Sequence, residues 1–201
     1  MTKAKPVERE PSATKNELIL AGAMQEFLEH GYAGARIDRI VEAAGVSKAT
    51  VYRYFPDKEA LFTALIQQMS CRKELFQIQS PSSYEDEPIS FLKNYANTML
   101  ENVSGDPQVL TLLRIIFGES GRFPQLARAF AVNIEKVSLD FLTQYFASHP
   151  KLQIADPEVS ARIFIGTLVH FVIIRDVLHS GDLMPMDRDR LLAGLIQSIV
   201  N

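Results

Sequence analysis

Donors and cations crowd into one short span, Gly45 to Phe62 (GVSKATVYRYFPDKEALF). Ser47, Lys48 and Thr50 fall where a helix would begin, and a helix start attracts anions through its free amides and its dipole. Lysine can donate to guanine edges, and threonine can bond a base or touch a thymine methyl. Tyr52, Tyr54 and Lys58 follow at spacings that bring donors to flanking phosphates, contacts that fix position rather than sequence. The chemistry is recognition of an anion, and duplex DNA suits both sets of groups. The same residues admit a plainer reading, with the tyrosines as core and Lys48 and Lys58 as a solvated face.

Catalysis has no comparable signature. The chain contains no phosphate-cradling GxxxxGK(S/T), no HExxH, no clustered cysteines and no GxSxG. His30, His149, His170 and His179 stand apart in sequence, and no catalytic set, metal site or cofactor is expected. GESG at residues 118–121 has the GxxG form of a nucleic-acid clamp but lies between helical segments with no strand nearby.

The elements that must hold the Gly45–Phe62 groups read as helices. Almost every segment repeats its apolar residues near 3.6 and none alternates with period two, which makes the fold all-α. Thr14 opens the first helix with the capping box TKNE. Leu18, Ala21, Met24, Phe27 and Leu28 give that helix an apolar stripe, which His30-Gly31 closes. A second helix runs roughly over residues 37–44, with Ile37, Ile40, Val41 and Ala44 inward. Gly45-Val46 makes a tight turn, and Ser47 caps a third helix over about 48–54, from which Val51 and Phe55 point back into the core. Two short helices joined by a glycine-bearing turn are the helix-turn-helix unit, whose second helix enters the major groove.

Residues from about Thr14 to Phe62 resemble the DNA-binding domain of the TetR family of bacterial transcriptional regulators. The run AMQEFLEHGYAGARIDRIVEAAGVSKATVYRYFPDKEALF carries the resemblance, through Phe27, Gly31-Tyr32, Ile40, Ala44-Gly45-Val46-Ser47, Thr50-Val51-Tyr52, Tyr54-Phe55, Lys58 and Leu61. It implies that Ser47, Lys48, Thr50, Tyr52, Tyr54 and Lys58 touch DNA. One position departs from the family. Its members usually place a hydroxyl residue just before the second helix, where this chain has Ala35-Arg36. Arg36 is expected to replace that contact with a charge-assisted bond to phosphate.

Asp57 caps a fourth helix with Leu61, Phe62, Leu65 and Met69 on its apolar side. By resemblance it links the three-helix DNA-binding domain (14–58) to a larger helical regulatory domain (59–201) that binds ligand and dimerises. Residues 1–13 read as a disordered arm rather than a signal peptide, and residues 79–87 (QSPSSYEDE) as a loop. Helices over 88–103, 108–120, 124–149, 157–179 and 188–200 bring the total to about nine. Gly105-Asp106-Pro107 stops one of these and starts the next. The run RIIFGESGRFPQLARAF resembles a segment of the regulatory domain in a subset of TetR-type proteins.

The helix that begins at Pro157 is apolar almost all round and must be covered on more than one side. Ile163, Gly166, Thr167, Phe171 and Ile174, with Leu191, Leu195 and Ile199 of the last helix, are expected to form an intersubunit four-helix bundle, which is also where the family dimerises. The alternative is an ordinary intrachain core. Candidate pocket linings are Tyr95, Met99, Leu112, Ile116, Phe117, Phe130, Ile134, Phe164 and His170, together with Phe91, Phe141 and Phe171. Each of these also serves as plain packing, and the Phe and Met content makes any ligand largely apolar.

Composition sets the outer bounds. The chain has 201 residues, 47% of them hydrophobic and 22% charged, which is ordinary for a globular protein. Residues 1–58 carry 9 Lys/Arg against 8 Asp/Glu, and the remainder 12 against 16, so a net charge of −3 conceals a slightly basic N-terminal part. The single cysteine, Cys71, excludes an internal disulfide framework and reads as a small buried or half-buried hydrophobe rather than a redox sensor. The longest apolar run, Ile163 to Ile174, falls short of the roughly 20 residues that cross a bilayer. The expectation is a cytoplasmic homodimeric regulator with no membrane association, a repressor released from a palindromic operator on double-stranded DNA by a small apolar effector. A helical adaptor that binds another protein through the 163–174 surface is the alternative, and an all-α enzyme a more distant one.

Overall fold

The computed structural model describes residues 14–71 and 87–200. The expected arm at 1–13, residues 79–86 of the expected loop and the side chains of Met69 and Cys71 lie outside the described residues. Among the described residues every regular element is helical, as the 3.6 periodicity requires. The chain divides into two compact units, residues 1–62 and 63–201.

The first unit is built by local signals. Helix α1 (Lys15–Gly34) starts with a complete capping box: Glu17 N–H donates to the Thr14 hydroxyl (3.3 Å), and Thr14 N–H donates to the Glu17 carboxylate (2.7 Å). Its regular part breaks at Gly31, whose φ of 64° and ψ of 178° suit glycine alone. Helices α2 (Ile37–Ala44) and α3 (Lys48–Tyr54) have the bounds expected. Between them Gly45 takes the left-handed conformation (φ 63°, ψ 31°) and donates its N–H to Glu42 O, while Val46 N–H reaches Val41 O. Helix α4 (Lys58–Cys71) begins with Ala60 N–H on the Asp57 carboxylate (2.7 Å), and Phe62 is its last residue in this unit.

The buried face of α1 is not the expected stripe. Ile19, Leu20, Gly22, Ala23, Glu26 and Phe27 are buried, whereas Leu18 is 40% exposed and Ala21 is exposed. The segment ELILAGAM is apolar around most of its circumference, so periodicity leaves its rotation open and tertiary packing fixes it. Gly22 marks the contact: a Cβ there would lie 3.0 Å from Ala44 N and 3.1 Å from Ile40 O, so α1 and α2 approach backbone to backbone. The rings of Phe27, Tyr32 and Phe62 close the core, with centroids 5.3–5.7 Å apart and Phe62 edge-on to the other two.

Glu26, 4% exposed, organises the start of α2. Its carboxylate accepts from Arg36 N–H (2.9 Å) and from Arg39 Nη1 (3.2 Å), and His30 Nδ1 lies 3.2 Å away. Arg36 occupies the N-cap position of α2 without a capping side-chain bond, so Glu26, from another helix, anchors this helix end instead. Replacing Glu26 with alanine leaves those donors unpaired and should cost about 1–3 kcal/mol of stability. Chemical denaturation measures this; an unchanged midpoint would contradict the anchoring role.

The second unit contains α5 (Pro88–Ser104), α6 (Pro107–Glu119), α7 (Pro124–Phe130), α8 (Lys136–Ser148), α9 (Pro157–Val172) and α10 (Arg188–Val200). A π-helical turn, Ala131–Glu135, joins α7 and α8 into one rod, and a second, Ile173–Val177, extends α9. Counted as rods, the described residues hold the nine helices expected. Asp106, as read from sequence, and likewise Asp156 and Asp187 each accept a helix-start N–H at 2.8–3.0 Å. Gly105, by contrast, is right-handed. It is needed because a Cβ would sit 2.5 Å from Glu101 O. After the second π turn His179 takes the left-handed conformation (φ 52°).

Helix α9 lies along α8, and α10 packs on α5 and α9. Phe164 and Leu168 of α9, Leu142 of α8, Leu92 of α5 and Leu112 of α6 are fully buried. Phe91 and Tyr145 stack at 4.2 Å and tie α5 to α8. The second π turn is held by polar clamps: Ser104 donates to the Asp176 carboxylate (2.7 Å) and Arg114 to the Asp176 carbonyl (2.6 Å).

Candidate nucleic-acid interface

Helix α3 is a short rigid shelf. Val51 is fully buried beneath it and Phe55 is 8% exposed. The Ser47 hydroxyl accepts from Thr50 N–H (3.2 Å) and shares a hydrogen bond with the Thr50 hydroxyl (2.8 Å), which fixes the helix start. Tyr52 and Tyr54 are 45% and 42% exposed, too open for the core reading of these rings. Lys48 is exposed and pairs with Asp38 of α2 at 2.6 Å; that hydrogen bond, then the charge of Asp38, raises the pKa of its ammonium. Ser47, Lys48, Tyr52 and Tyr54 thus lie exposed on or beside one helix with Thr50 half-buried among them, and Arg36 is exposed at the start of α2.

Lys58 is placed differently from the expected phosphate donor. Its ammonium donates to the carbonyls of Tyr32 (2.6 Å), Ala35 (3.1 Å) and Ala33 (3.4 Å) and lies 4.7 Å from the Tyr32 ring centre. Gly31 breaks the helical ladder and turns these carbonyls outward, and the lysine neutralises them. Burial, then the charges of Glu59 and Asp57, pushes the Tyr32 phenol up to about 12, so this ring stays neutral at physiological pH.

Arg53, absent from the expected set, is exposed at the end of α3 with its guanidinium 5.4 Å from the Tyr54 ring centre. It lies five positions after Lys48, at the opposite end of α3 from the helix start that attracts anions.

In the second unit, Tyr95, Met99, Phe117, Phe130 and Ile134 line a cavity of about 70 Å³. Ile116, 2% exposed, belongs to an open groove beyond Phe117 and Phe130. Leu112 and Phe164 are plain core. His170 does not reach the cavity. It is exposed on another side of α9, grouped with Thr167, Phe171, Ile174 and Leu191 of the expected dimer set. Of that set, Phe171 and Leu195 are buried within the chain, while Thr167, Ile174, Leu191 and Ile199 are half-buried. Ile163 is 51% exposed, and Gly166 is exposed with nothing near the position of a Cβ.

Sequence and fold comparisons agree on the family. Residues 19–65 match the model of bacterial regulatory proteins of the tetR family, and residues 90–199 match that of the C-terminal domain of AefR-like transcriptional repressors. The transcriptional regulator RutR of Escherichia coli K12 is 34% identical over 101 residues, 50% of this chain and 46% of that protein. The transcriptional repressor AcnR of Corynebacterium glutamicum is 44% identical over 62 residues, 31% of this chain and 32% of that protein. The chain therefore spans about half or less of the length of the curated relatives it matches. Among solved structures, the flavonoid-responsive regulator FrrA superposes with a TM-score of 0.66 at 29% identity, over 91% of both chains. A TetR-family regulator of Mesorhizobium loti gives 0.74 over 92% of this chain and 93% of its own, at 24% identity, which shows the shared fold. With more than half of its length matched by one family model and its helix-turn-helix by another, the chain belongs to the TetR family of bacterial transcriptional regulators.

Proposed function

We propose that this protein is a cytoplasmic homodimeric repressor that binds a palindromic operator and leaves it when a small, largely apolar molecule occupies the second unit. The observation that carries the reading is helix α3, where Lys48, Tyr52 and Tyr54 are open to solvent beside Thr50 on a helix pinned by Ser47 and Gly45. Lys48 and Thr50 read bases. Tyr52, Tyr54, Ser47 and Arg36 hold phosphates. Asp38 keeps Lys48 oriented in free protein and yields it when DNA arrives. Lys58 supports the site from behind, through the end of α1.

The strip Ile163–Gly166–Thr167–His170 on α9, with α10 beside it, is the dimer contact in this reading. Residues 157–177 are also long and apolar enough to cross a membrane by length and composition. Ala161, Phe164, Leu168, Phe171 and Val172 of this helix are buried within the second unit, which suits the core helix of a globular protein instead.

The cavity explains why a ligand would act as a switch. Pockets for drug-sized ligands hold about 300–1,000 Å³, so a cavity of about 70 Å³ must widen to accept one. A ligand that fits only the widened state shifts the population toward it, and unequal affinity for the two states is the one requirement.

The test is binding to duplex DNA from the gene's own upstream region against random duplex, with salt raised stepwise. Sequence-selective, salt-sensitive binding is expected; equal affinity for both duplexes overturns the reading.

A further inference from the structure

The cavity wall carries one charged side chain. Glu135, the last residue of the first π turn, is half-buried among Tyr95, Met99, Phe130, Val169 and Ile173. Among the described residues no Lys, Arg or His lines the cavity. The cation next in sequence, Lys136, is engaged with Asp140 at 2.6 Å. The other polar lining groups are the Tyr95 and Ser138 hydroxyls. Glu135 thus faces an apolar cavity whose described lining holds no counter-charge, and on its other side it borders the open groove, where the cations Lys136 and Arg162 are paired with Asp140 and Glu158.

The π turn creates this placement. Lys136 N–H bonds Ala131 O, five residues back, and Asn133 Nδ2 donates to the Ala129 carbonyl (2.7 Å). The register slip brings Ile134 and its neighbour Glu135 to the same cavity.

We propose that the cavity selects small lipophilic amines, with the Glu135 carboxylate as the counter-charge at its wall. The inference rests on reading this cavity as the effector site. An anionic head group would meet a carboxylate and no cation. A neutral ligand would leave that carboxylate desolvated, and an ammonium supplies charge-assisted hydrogen bonds to it. Burial raises the Glu135 carboxyl above the ordinary carboxylate range, a strain that a bound cation relieves. Phe117 and Phe130 receive the apolar body, and Met99 adapts to its shape.

Three probes of one skeleton test this: 4-phenylbutylamine, 4-phenylbutanol and 4-phenylbutyrate, measured by calorimetry on the full chain. The amine should bind about tenfold or more tightly than the alcohol, and the carboxylate most weakly. Glu135→Gln should remove the preference for the amine while keeping the alcohol's affinity, and Glu135→Asp should retain the preference. Carboxylate binding that equals the amine's, an amine affinity unchanged in Glu135→Gln, or no binding of any probe up to millimolar concentration overturns the proposal. DNA binding measured beside it separates the two readings. Glu135-dependent amine binding without sequence-selective DNA binding removes the repressor reading and keeps the site. Selective DNA binding without amine preference does the reverse.

Discussion

Replacing both Lys48 and Thr50 with alanine is expected to weaken operator binding by about three orders of magnitude or more while leaving the fold intact. Each good side-chain-to-base pairing contributes about 1–3 kcal/mol of discrimination, and a dimer makes every contact twice. The fold should survive. The Ser47 hydroxyl still accepts the Thr50 N–H, which alanine retains, and the Lys48–Asp38 pair is exposed and screened. The dependence of affinity on salt should also become shallower, since a cation is lost from each half-site. Fluorescence anisotropy on a labelled duplex reads both quantities. A double variant that binds as wild type would move the reading head away from α3.

Gly166→Arg is expected to produce a folded monomer with no measurable operator binding. A side chain at Gly166 meets nothing within the chain, so arginine costs the single protomer little and improves on glycine's helix propensity. In a dimer packed through α9, the same arginine would place a charge against the apolar face around Ile163, which is expensive unless paired. Sedimentation velocity gives the oligomeric state and circular dichroism the helix content. An unchanged dimer would place the interface elsewhere.

The parts of the fold legible in the sequence are those set by local chemistry. The Thr14–Glu17 box, the Ser47, Asp57, Asp106, Asp156 and Asp187 caps and the left-handed Gly45 each act over a few residues, and each stands where its residue type requires. What sequence could not convey depended on partners far along the chain. The rotation of α1 follows from α2 packing against Gly22, and the burial of Glu26 from donors ten and thirteen residues away. Lys58 looked like a phosphate donor because its reach to three carbonyls near the end of α1 exists only once α1 and α4 are folded together.

The second unit shows the same limit more sharply. Tyr95 with Met99, and Phe130 with Ile134, share a face by helical spacing, but only the fold brings the two pairs and Phe117 to one cavity. His170 drew attention as a polar residue on an apolar helix, yet α9 turns it outward. Glu135 escaped notice because a π turn shifts the register by a fraction of a turn, and a 3.6 period carried through that turn assigns it to the wrong face.

Hydroxyl-radical footprinting on the upstream duplex tests the claim of a paired reading head most directly. Two protected patches related by a two-fold axis, with centres about 34–36 Å or a multiple of that apart along the duplex, are the expected result for wild type, and both should vanish for Gly166→Arg. A single unsymmetrical patch, or protection that does not depend on sequence, would contradict it.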